Sequence, residues 1–492
     1  MKRSILTLIS AFAIIAGAYS QNVDDALRYS QDFYGGTARA ISMGDAFTSL
    51  GADLSAISIN PAGTGMFRSM EISFTPQISY NSANSTFNGT KTSDYRYNLA
   101  LPQIGIVGCL ISHDRTSGLV ALNFAYSYNA VNNYNANITM SGVSQNSSMA
   151  DYWAKSSQGI NYTNLTGGAG IAFDTWIMDT ISGSHGNTYG TTFSHYGDST
   201  TSKYGQTITR VVTDDGYKGE HTFSVGANFS NKLFLGATLG ITVIQYTGHY
   251  DHMENDINNT IFDFKDFAYT NHFEESGTGY SFKIGAIYRP IDLIRIGFAF
   301  HAPVPYRMHE YFYDNITSNF DNGDTYSSAN EAMTYDYTLT TPMKLLGGIS
   351  FQIRKVAIIS ADYEYIDYRQ ARFSNGSDGY DFSNENQSIQ SILNSASNFR
   401  VGVEYRIGSV YIRGGYGYYG SAFAKGTGEL NENMVYNSIS GGVGFRQHNF
   451  YLDLAYSDLF YTQKYLMYDG QPDPAILQIG RNTFTATIGM KF

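Results

Sequence analysis

The stretch NTFTATIGMKF, residues 482–492, alternates strictly between two kinds of side chain. The apolar set is Phe484, Ala486, Ile488, Met490 and Phe492, and the other set is Thr483, Thr485, Thr487, Gly489 and Lys491. Successive side chains of a strand point to opposite faces, so this period of two predicts a strand with one apolar and one polar face. One such strand is compatible with a soluble sandwich as well as with a membrane barrel, so the two folds have to be distinguished by the rest of the chain.

The same alternation recurs along the chain and predicts about fourteen strands. They are expected near residues 69–80, 95–111, 119–131, 221–230, 232–247, 277–289, 292–303, 339–353, 355–369, 398–407, 409–420, 436–446, 449–461 and 481–492. Every second connection is short, and the others are long and rich in Asn, Ser, Gly and Asp. Short turns alternating with long loops on an even number of strands are typical of a transmembrane barrel. The predicted fold class is all-β, an antiparallel transmembrane β-barrel of about fourteen strands.

The beginning of the chain has the pattern of an export signal. Lys2 and Arg3 precede an apolar run that is too short for a membrane helix, and small residues follow at Ala18 and Ser20. We therefore expect a signal peptide over residues 1–20, cleaved near Ser20. Residues 21–68 then precede the barrel of residues 69–492. The rest of the chain contains no run of about 18 apolar residues that would cross a bilayer as a helix.

Charge and cysteine content exclude several classes of protein. The net charge is −11 and no basic patch stands out, so nucleic acid is not an expected partner. Cys109 is the sole cysteine, so an exported chain of this kind has no internal disulfide.

Three stretches look like binding motifs but lack the surrounding structure or spacing that such sites need. The sequence therefore predicts no cofactor and no metal site. Residues 415–420 match GxGxxG, but they lie in a predicted strand with no helix after it. The acidic turns at 321–324 and 375–379 lack the spacing of a helix-loop-helix calcium site. Four histidines with ligand-like spacing are interpreted as scattered loop residues: His249, His252, His301 and His309.

Residues 21–68 carry an apolar stripe at helical spacing. Gly44 and Gly51 interrupt the stripe, which favours several short helices, and Pro61 ends the last of them. A unit of about 48 residues with so small a core would be marginal alone. A fourteen-strand barrel encloses more space than its own side chains fill, so this segment is predicted to be a plug in the lumen.

The run GTARAISMGDAFTSLGADLSAISINPAG, residues 36–63, resembles the amino-terminal hatch of the FadL/TodX family. Ala38 to Phe47 match that hatch's ARAxxMGxAF stretch, Asp53 matches its acidic residue, and Asn60 to Gly63 match its Asn-Pro-Ala-Gly corner. Members of the family are outer-membrane channels for long-chain fatty acids and other hydrophobic compounds.

The resemblance implies a mechanism. Outer loops capture the ligand, the barrel holds it, and a hatch rearrangement releases it sideways through a gap that the family makes with a kinked third strand. The present strand three has no proline, whereas Pro102 lies in strand two, so the exit position stays open. The plug residues implied to line the ligand path are Met43, Phe47, Leu50, Leu54, Ile57 and Ile59. The implied hinge or latch is Asn60, Pro61, Ala62 and Gly63.

Three outer loops contain apolar residues at the spacing of one helix face. The longest loop carries Phe173, Trp176, Ile177 and Ile181, and the others carry Ile257, Ile261, Phe264 and Phe267, and Ile389, Ile392, Leu393 and Ala396. These residues either pack against other loops or form an external patch that captures hydrophobic substrate. We assign the capture role to the first set.

The expected function is an outer-membrane channel of a Gram-negative bacterium for fatty acid-like or aromatic hydrophobic compounds. Its expected partners are a hydrophobic small molecule, outer-membrane lipid and the barrel-assembly machinery, and the protein is expected to be a monomer. The assembly machinery is expected because a chain ending on Phe492 after such a strand resembles the carboxy-terminal signal of outer-membrane barrels. A structural or adhesive barrel is one alternative. A lipase or protease barrel is another, although no local motif supplies a nucleophile with an oriented histidine.

Overall fold

The computed structural model describes residues 22–110, 117–181, 183, 185–194, 204–354 and 356–492, and the predicted signal peptide lies outside them. The helices are α1 Val23–Ser30, α2 Ala38–Ser42, α3 Ala56–Ile59, α4 Met149–Ser156, α5 Gly167–Asp174 and α6 Ser383–Ile392, with 3₁₀ turns at Pro61–Met66, Tyr162–Asn164 and Tyr368–Gln370. The strands are β1 Glu71–Phe87, β2 Thr90–Cys109, β3 Leu119–Asn133, β4 Ala136–Val143, β5 Met178–Thr180, β6 Tyr189–Thr191, β7 Thr207–Phe229, β8 Leu233–Asn255, β9 Asp266–Ile291, β10 Ile294–His301, β11 Pro305–Asn319, β12 Thr325–Ala329, β13 Met333–Thr340, β14 Lys344–Ile353, β15 Ala357–Asp367, β16 Arg372–Ser374, β17 Ser395–Ile407, β18 Val410–Tyr419, β19 Tyr436–Gln447, β20 Phe450–Tyr465 and β21 Ala475–Lys491.

Fourteen of the described strands form a closed antiparallel barrel. In order around the wall they are β1, β2, β3, β7, β8, β9, β10, β14, β15, β17, β18, β19, β20 and β21. The last strand pairs with the first from Glu71 opposite Lys491 to Thr86 opposite Ile476. Each of the fourteen predicted strands overlaps one of these wall strands, so the predicted fold class is confirmed.

The wall has an apolar outer face and a polar inner face. On β9 the outward Tyr280, Phe282 and Ile284 are 73%, 44% and 43% exposed, whereas the inward Ser281 and Lys283 are buried. Crossing a bilayer takes about 9–11 strand residues, yet β7, β8 and β9 have 23, 23 and 26. The wall therefore extends well beyond its apolar band on the loop side.

Residues 81–94 were predicted to be a loop, but 81–87 and 90–94 are strand. β1 and β2 run on until they meet at Asn88 and Gly89, which have φ of +47° and +81°. Asn-Gly is the residue pair that favours a two-residue hairpin turn, because both positions need positive φ. The dipeptide was a usable signal that the prediction missed.

Two neighbouring wall positions are broken by proline. Ala302 to Val304 separate β10 from β11, and Thr341 to Met343 separate β13 from β14, with Pro303 and Pro342 inside the breaks. Proline cannot donate to the ladder, which explains the interruptions. β11 and β13 continue beyond the breaks by pairing with each other, and β11 also pairs with β9.

The predicted loop helices are only partly correct. Helix α5 contains Phe173 but ends at Asp174, so Trp176, Ile177 and Ile181 lie outside it. The stretch from Ile257 to Phe264 is irregular and Phe267 belongs to β9, so the predicted helix there is wrong. Helix α6 contains Ile389 and Ile392, while Leu393 caps it and Ala396 lies in β17. Among the described helices, none is long and apolar enough to span a membrane.

Candidate functional site in the plugged lumen

Helices α1, α2 and α3 and the 3₁₀ turn Pro61–Met66 lie inside the barrel against its inner face. The wall accommodates them with inward-facing glycines, here called the glycine track: Gly226, Gly236, Gly285, Gly297, Gly348, Gly402, Gly415 and Gly442. A β-carbon at any of these positions would fall between 1.8 and 2.8 Å from a plug atom. The glycine track therefore lets the plug lie directly on the strands. The glycine track was not predicted from the sequence, although glycines at inward positions of several strands were a visible signal.

The Asn-Pro-Ala-Gly corner is fully buried and joins two parts of the plug. Asn60 donates from Nδ2 to the carbonyl of Thr48 at 2.6 Å, and its Oδ1 accepts from the Ala62 amide at 3.0 Å. Pro61 starts the 3₁₀ turn, where its fixed φ suits the first position. The amide of Thr48 donates to Asp362 Oδ2 on β15 at 2.7 Å. Asn60 thus connects the corner, through the Thr48 peptide, to the wall.

The six apolar plug residues form the packed core of the closed plug, and each is at most 2% exposed. Met43, Phe47, Leu50 and Ile59 pack with wall residues Ala299 and Leu346. Leu54 and Ile57 pack with Phe67, Val107 and Ala125 in a second cluster. Their role as a ligand lining stays a prediction, and it requires the plug to rearrange.

Buried charged side chains lie in α2 and in the plug segment that follows it. Arg39 is ion-paired with Glu404 on β17 at 3.1 Å. Asp53 accepts from Thr37 at 2.8 Å and from Ser55 at 2.6 Å. Asp45 has no such partner for Oδ1 in the described structure, and burial raises the pKa of its carboxyl to about 7 against the opposing influence of Arg400.

A charged cavity of about 30 Å³ lies between α1 and the wall. Asp32 accepts from Lys218 Nζ at 2.8 Å and is also ion-paired with Lys344. Burial alone would raise the pKa of Asp32, but the two lysines hold it well below its usual range. Lys283, paired with Glu220 at 2.6 Å, completes the cluster. This site was not predicted because the lysines lie on three separate strands, yet lysine at inward strand positions was a detectable signal.

The wall is interrupted between β2 and β3, beside this cavity. The two strands pair from Gln103 opposite Asn129 to Cys109 opposite Asn123, and β2 continues from Pro102 to Thr90 without β3 as its partner. The plug uses the freed edge of β3. Phe33 and Gly35 donate their amides to the carbonyls of Val131 and Ala130, at 2.9 and 3.0 Å.

Polar bridges close the interruption on the loop side. Thr139 donates to Asp94 at 2.7 Å, and Asn81 donates to the carbonyl of Asn135 at 2.6 Å. The open length of the wall therefore lies near Leu99 and Leu101, which face outward and are 75% and 39% exposed.

An aromatic chamber lies above the cavity and holds α1. Tyr29 of α1 meets Tyr134 and Tyr246 edge to face at centroid distances of 5.9 and 6.4 Å. Arg28 lies over the Tyr246 ring at 4.5 Å. The chamber is thus filled by the plug's own helix.

The four capture residues are not equally available. Ile177 is 1% exposed, and Phe173 stacks on Tyr162 at 5.6 Å within the loop core. Ile181 is half-buried. Trp176 has a φ of +61° and is 51% exposed, and its ring lies 6.3 Å from that of Tyr326, measured between centroids.

The four histidines lie in strands, so the loop interpretation is wrong. His249 and His252 are in β8, His301 ends β10, and His309 is in β11. His301 bonds to the carbonyl of Ile59 at 2.9 Å, which makes it a plug contact. Across the described ranges, no cluster of three or more His, Cys, Asp or Glu has the geometry to hold a metal ion.

Comparison with known proteins finds a match in fold only. No family model and no curated protein matches the sequence. A FadL homologue of Pseudomonas aeruginosa superposes with a TM-score of 0.56 at 12% identity, over 94% of this chain and 99% of the other. The toluene transporter TodX of Pseudomonas putida superposes with a TM-score of 0.52 at 12% identity, over 94% of this chain and 100% of the other. The chain has the fold of the FadL and TodX proteins.

Proposed function

We propose that this protein is an outer-membrane channel that takes up hydrophobic compounds and releases them sideways through the wall. The observation that carries the proposal is the interruption between β2 and β3, where plug backbone at Phe33 and Gly35 replaces the missing strand. A plug edge in a strand position can be withdrawn, whereas a continuous ladder cannot open without breaking the barrel. The proposal also draws on the fold shared with a protein described as a toluene transporter.

The charged cavity beside Asp32 is too small for a ligand in the closed plug, which supports a moving plug. The cavity beside Asp32 holds about 30 Å³, whereas small-molecule sites enclose about 300–1,000 Å³. Passage therefore requires α1 to leave the aromatic chamber and the segment around Gly35 to leave the edge of β3. In that movement the six apolar plug residues, from Met43 to Ile59, would become the surface along which the ligand moves.

The charged cavity favours an amphiphile with an acidic head group over a plain hydrocarbon. Lys218 and Lys344 together bind one carboxylate, that of Asp32. A buried pair of cations that loses this anion is strongly unfavourable, so a ligand carboxylate would replace Asp32 as the plug moves. The apolar chain would extend toward Val131 and the wall interruption.

Capture starts at the outer loops. Trp176, Tyr326 and Phe320 form an aromatic row with centroid distances of 6.3 and 5.8 Å, in which Trp176 and Tyr326 are exposed and Phe320 is half-buried. Flat aromatic surface at the loop tips would concentrate sparingly soluble compounds before they enter. Of the other predicted capture residues, Ile177 and Phe173 belong to the apolar core of the loops.

Uptake by the full chain in liposomes tests the proposal. Transfer of a fluorescent long-chain fatty acid across the membrane should be faster than in protein-free vesicles, while leakage of a sugar of similar mass stays at the vesicle background. Deletion of residues 37–63 should change the fatty acid rate in a barrel that still shifts its gel mobility on heating. Equal fatty acid rates with and without protein would contradict a channel.

A further inference from the structure

A preformed groove of about 850 Å³ lies on the outside of the barrel, at the loop ends of β17 and β18. Its floor is the outward side of these strands at Ser397, Phe399 and Tyr418. Their inward neighbours Asn398 and Arg400 are buried at 4% and 1% exposure, which identifies the face. The volume falls within the range of about 300–1,000 Å³ typical of small-molecule sites.

The groove begins where the apolar band of the wall ends. Phe399 and Val401 on β17 are 49% and 43% exposed, and Tyr416 on β18 is 45% exposed. Aromatic residues at such a boundary sit at the level of lipid head groups. Tyr363 marks the same level, since its hydroxyl is 3.0 Å from that of Ser397.

Two loops form the sides of the groove and are joined by backbone hydrogen bonds. The amide of Asn394 donates to the carbonyl of Ala422 at 2.7 Å, and the amide of Ala424 donates to Ile392 at 2.8 Å. Within the loop between β18 and β19, the Ser421 hydroxyl donates to the carbonyl of Glu432 at 2.9 Å. A site held open in this way loses little conformational freedom on binding.

The lining combines neutral hydrogen-bonding groups with two cations and one carboxylate, that of Glu432, whose Oε2 accepts from the Gly426 amide at 2.8 Å. Gln390 and Ser391 contribute an amide and a hydroxyl from α6, and Lys425 and Arg369 contribute cations. Arg369 is 47% exposed although it is paired with Asp367 at 2.8 Å. Hydroxyls and amides above an aromatic floor suit a sugar, and cations suit a phosphate.

We propose that this groove binds the phosphorylated sugar head group of a glycolipid in the outer leaflet, with the acyl chains lying on the apolar band below. The polar lining stands directly above exposed hydrocarbon-facing residues, and this is the order of polarity within one lipid molecule. The inference depends on an outer-membrane location but not on transport.

Binding of lipid A to the full chain in detergent, measured by native mass spectrometry, tests the inference. Phosphatidylglycerol is the anionic lipid control and inorganic phosphate the head-group control. Lys425→Glu should lower lipid A affinity by at least about fivefold, because one basic residue at an anionic lipid surface raises the affinity by about that factor. Ser391→Trp should block the groove sterically. Lys91→Glu, at the distant β1–β2 hairpin, should leave affinity unchanged.

The expected result is preferential binding of lipid A that is weakened by Lys425→Glu and by Ser391→Trp but not by Lys91→Glu. Equal binding of lipid A and phosphatidylglycerol would overturn the inference, because it would indicate general attraction to anionic lipid. Equal loss in Lys91→Glu, or binding of phosphate without lipid A, would overturn it as well. Each variant must keep the heat-dependent gel shift of a folded barrel.

Discussion

Replacing Gly285 by alanine should loosen the plug while leaving the barrel intact. A β-carbon at this position would lie 1.8 Å from Oδ1 of Asn60, which is fully buried and has no room to retreat. The side chain of Asn60 would have to give up its bonds to Thr48 and Ala62. Each buried hydrogen bond contributes about 0.5–1.5 kcal/mol, so the loss amounts to about 1–3 kcal/mol.

Amide exchange within residues 44–66 is the direct readout of this change. An energy of about 1–3 kcal/mol corresponds to about 5- to 150-fold in the opening equilibrium, and exchange from the open plug should speed up by that factor. Gly347→Ala is the matched control on β14, because nothing lies within 4 Å of its β-carbon. Strand amides of β9 should keep their protection in both variants.

The reasoning would be refuted by equal exchange of residues 44–66 in Gly285→Ala, Gly347→Ala and the parent protein. It would also be refuted if β9 lost protection together with the plug, because the glycine would then serve the wall alone.

Further predictions concern pH, ligand head group and capture. Burial raises the pKa of Asp45 from 3.8 to about 7, so the closed plug loses stability as the pH rises from about 4 to about 7, and exchange of residues 38–50 should increase over that range beyond the intrinsic rate and level off above it. Asp45→Asn should remove this excess, and an unchanged pH profile would contradict the assignment. Asp32→Asn should raise affinity for a fatty acid but not for the alcohol of equal chain length in a fluorescence competition assay. An equal change for both ligands would argue against a carboxylate site. Trp176→Ser should weaken saturable binding at the loops without altering the melting temperature, whereas Ile177→Ser, at a buried position, should lower it; the reverse pattern would exclude capture by Trp176.

The fold could be predicted from the sequence because half of each membrane-crossing strand faces lipid. On β21 the alternation of Phe484, Ile488 and Met490 with threonines is a direct record of that environment. The outer halves of β7 and β8 escaped prediction because both of their faces lie beyond the apolar band, where polar residues suit either side. The position of Asn60 and Pro61 at a plug corner could be predicted because a proline ends a helix.

The site was predicted less well because it depends on contacts between distant parts of the chain. Lys218 and Lys344 converge on Asp32 only after the barrel closes, and no local pattern links them. Pro102 was noticed in strand two, but a single proline does not say that β3 will leave β2 and pair with Gly35. The apolar stripe from Met43 to Ile59 was recognised as buried, while its packing partners on the wall were not predictable.

Locking the plug to the edge of β3 tests the central claim most directly. A β-carbon at Gly35 would lie 3.5 Å from that of Ala130, within the spacing of about 3.5–4.5 Å that a disulfide requires. We propose the pair Gly35→Cys with Ala130→Cys in a Cys109→Ser background, measured for fatty acid uptake into liposomes before and after reduction. The account predicts that uptake is abolished in the oxidised protein and restored by reductant, while Gly35→Cys alone stays active. Full uptake through the oxidised, cross-linked protein would contradict release between β2 and β3.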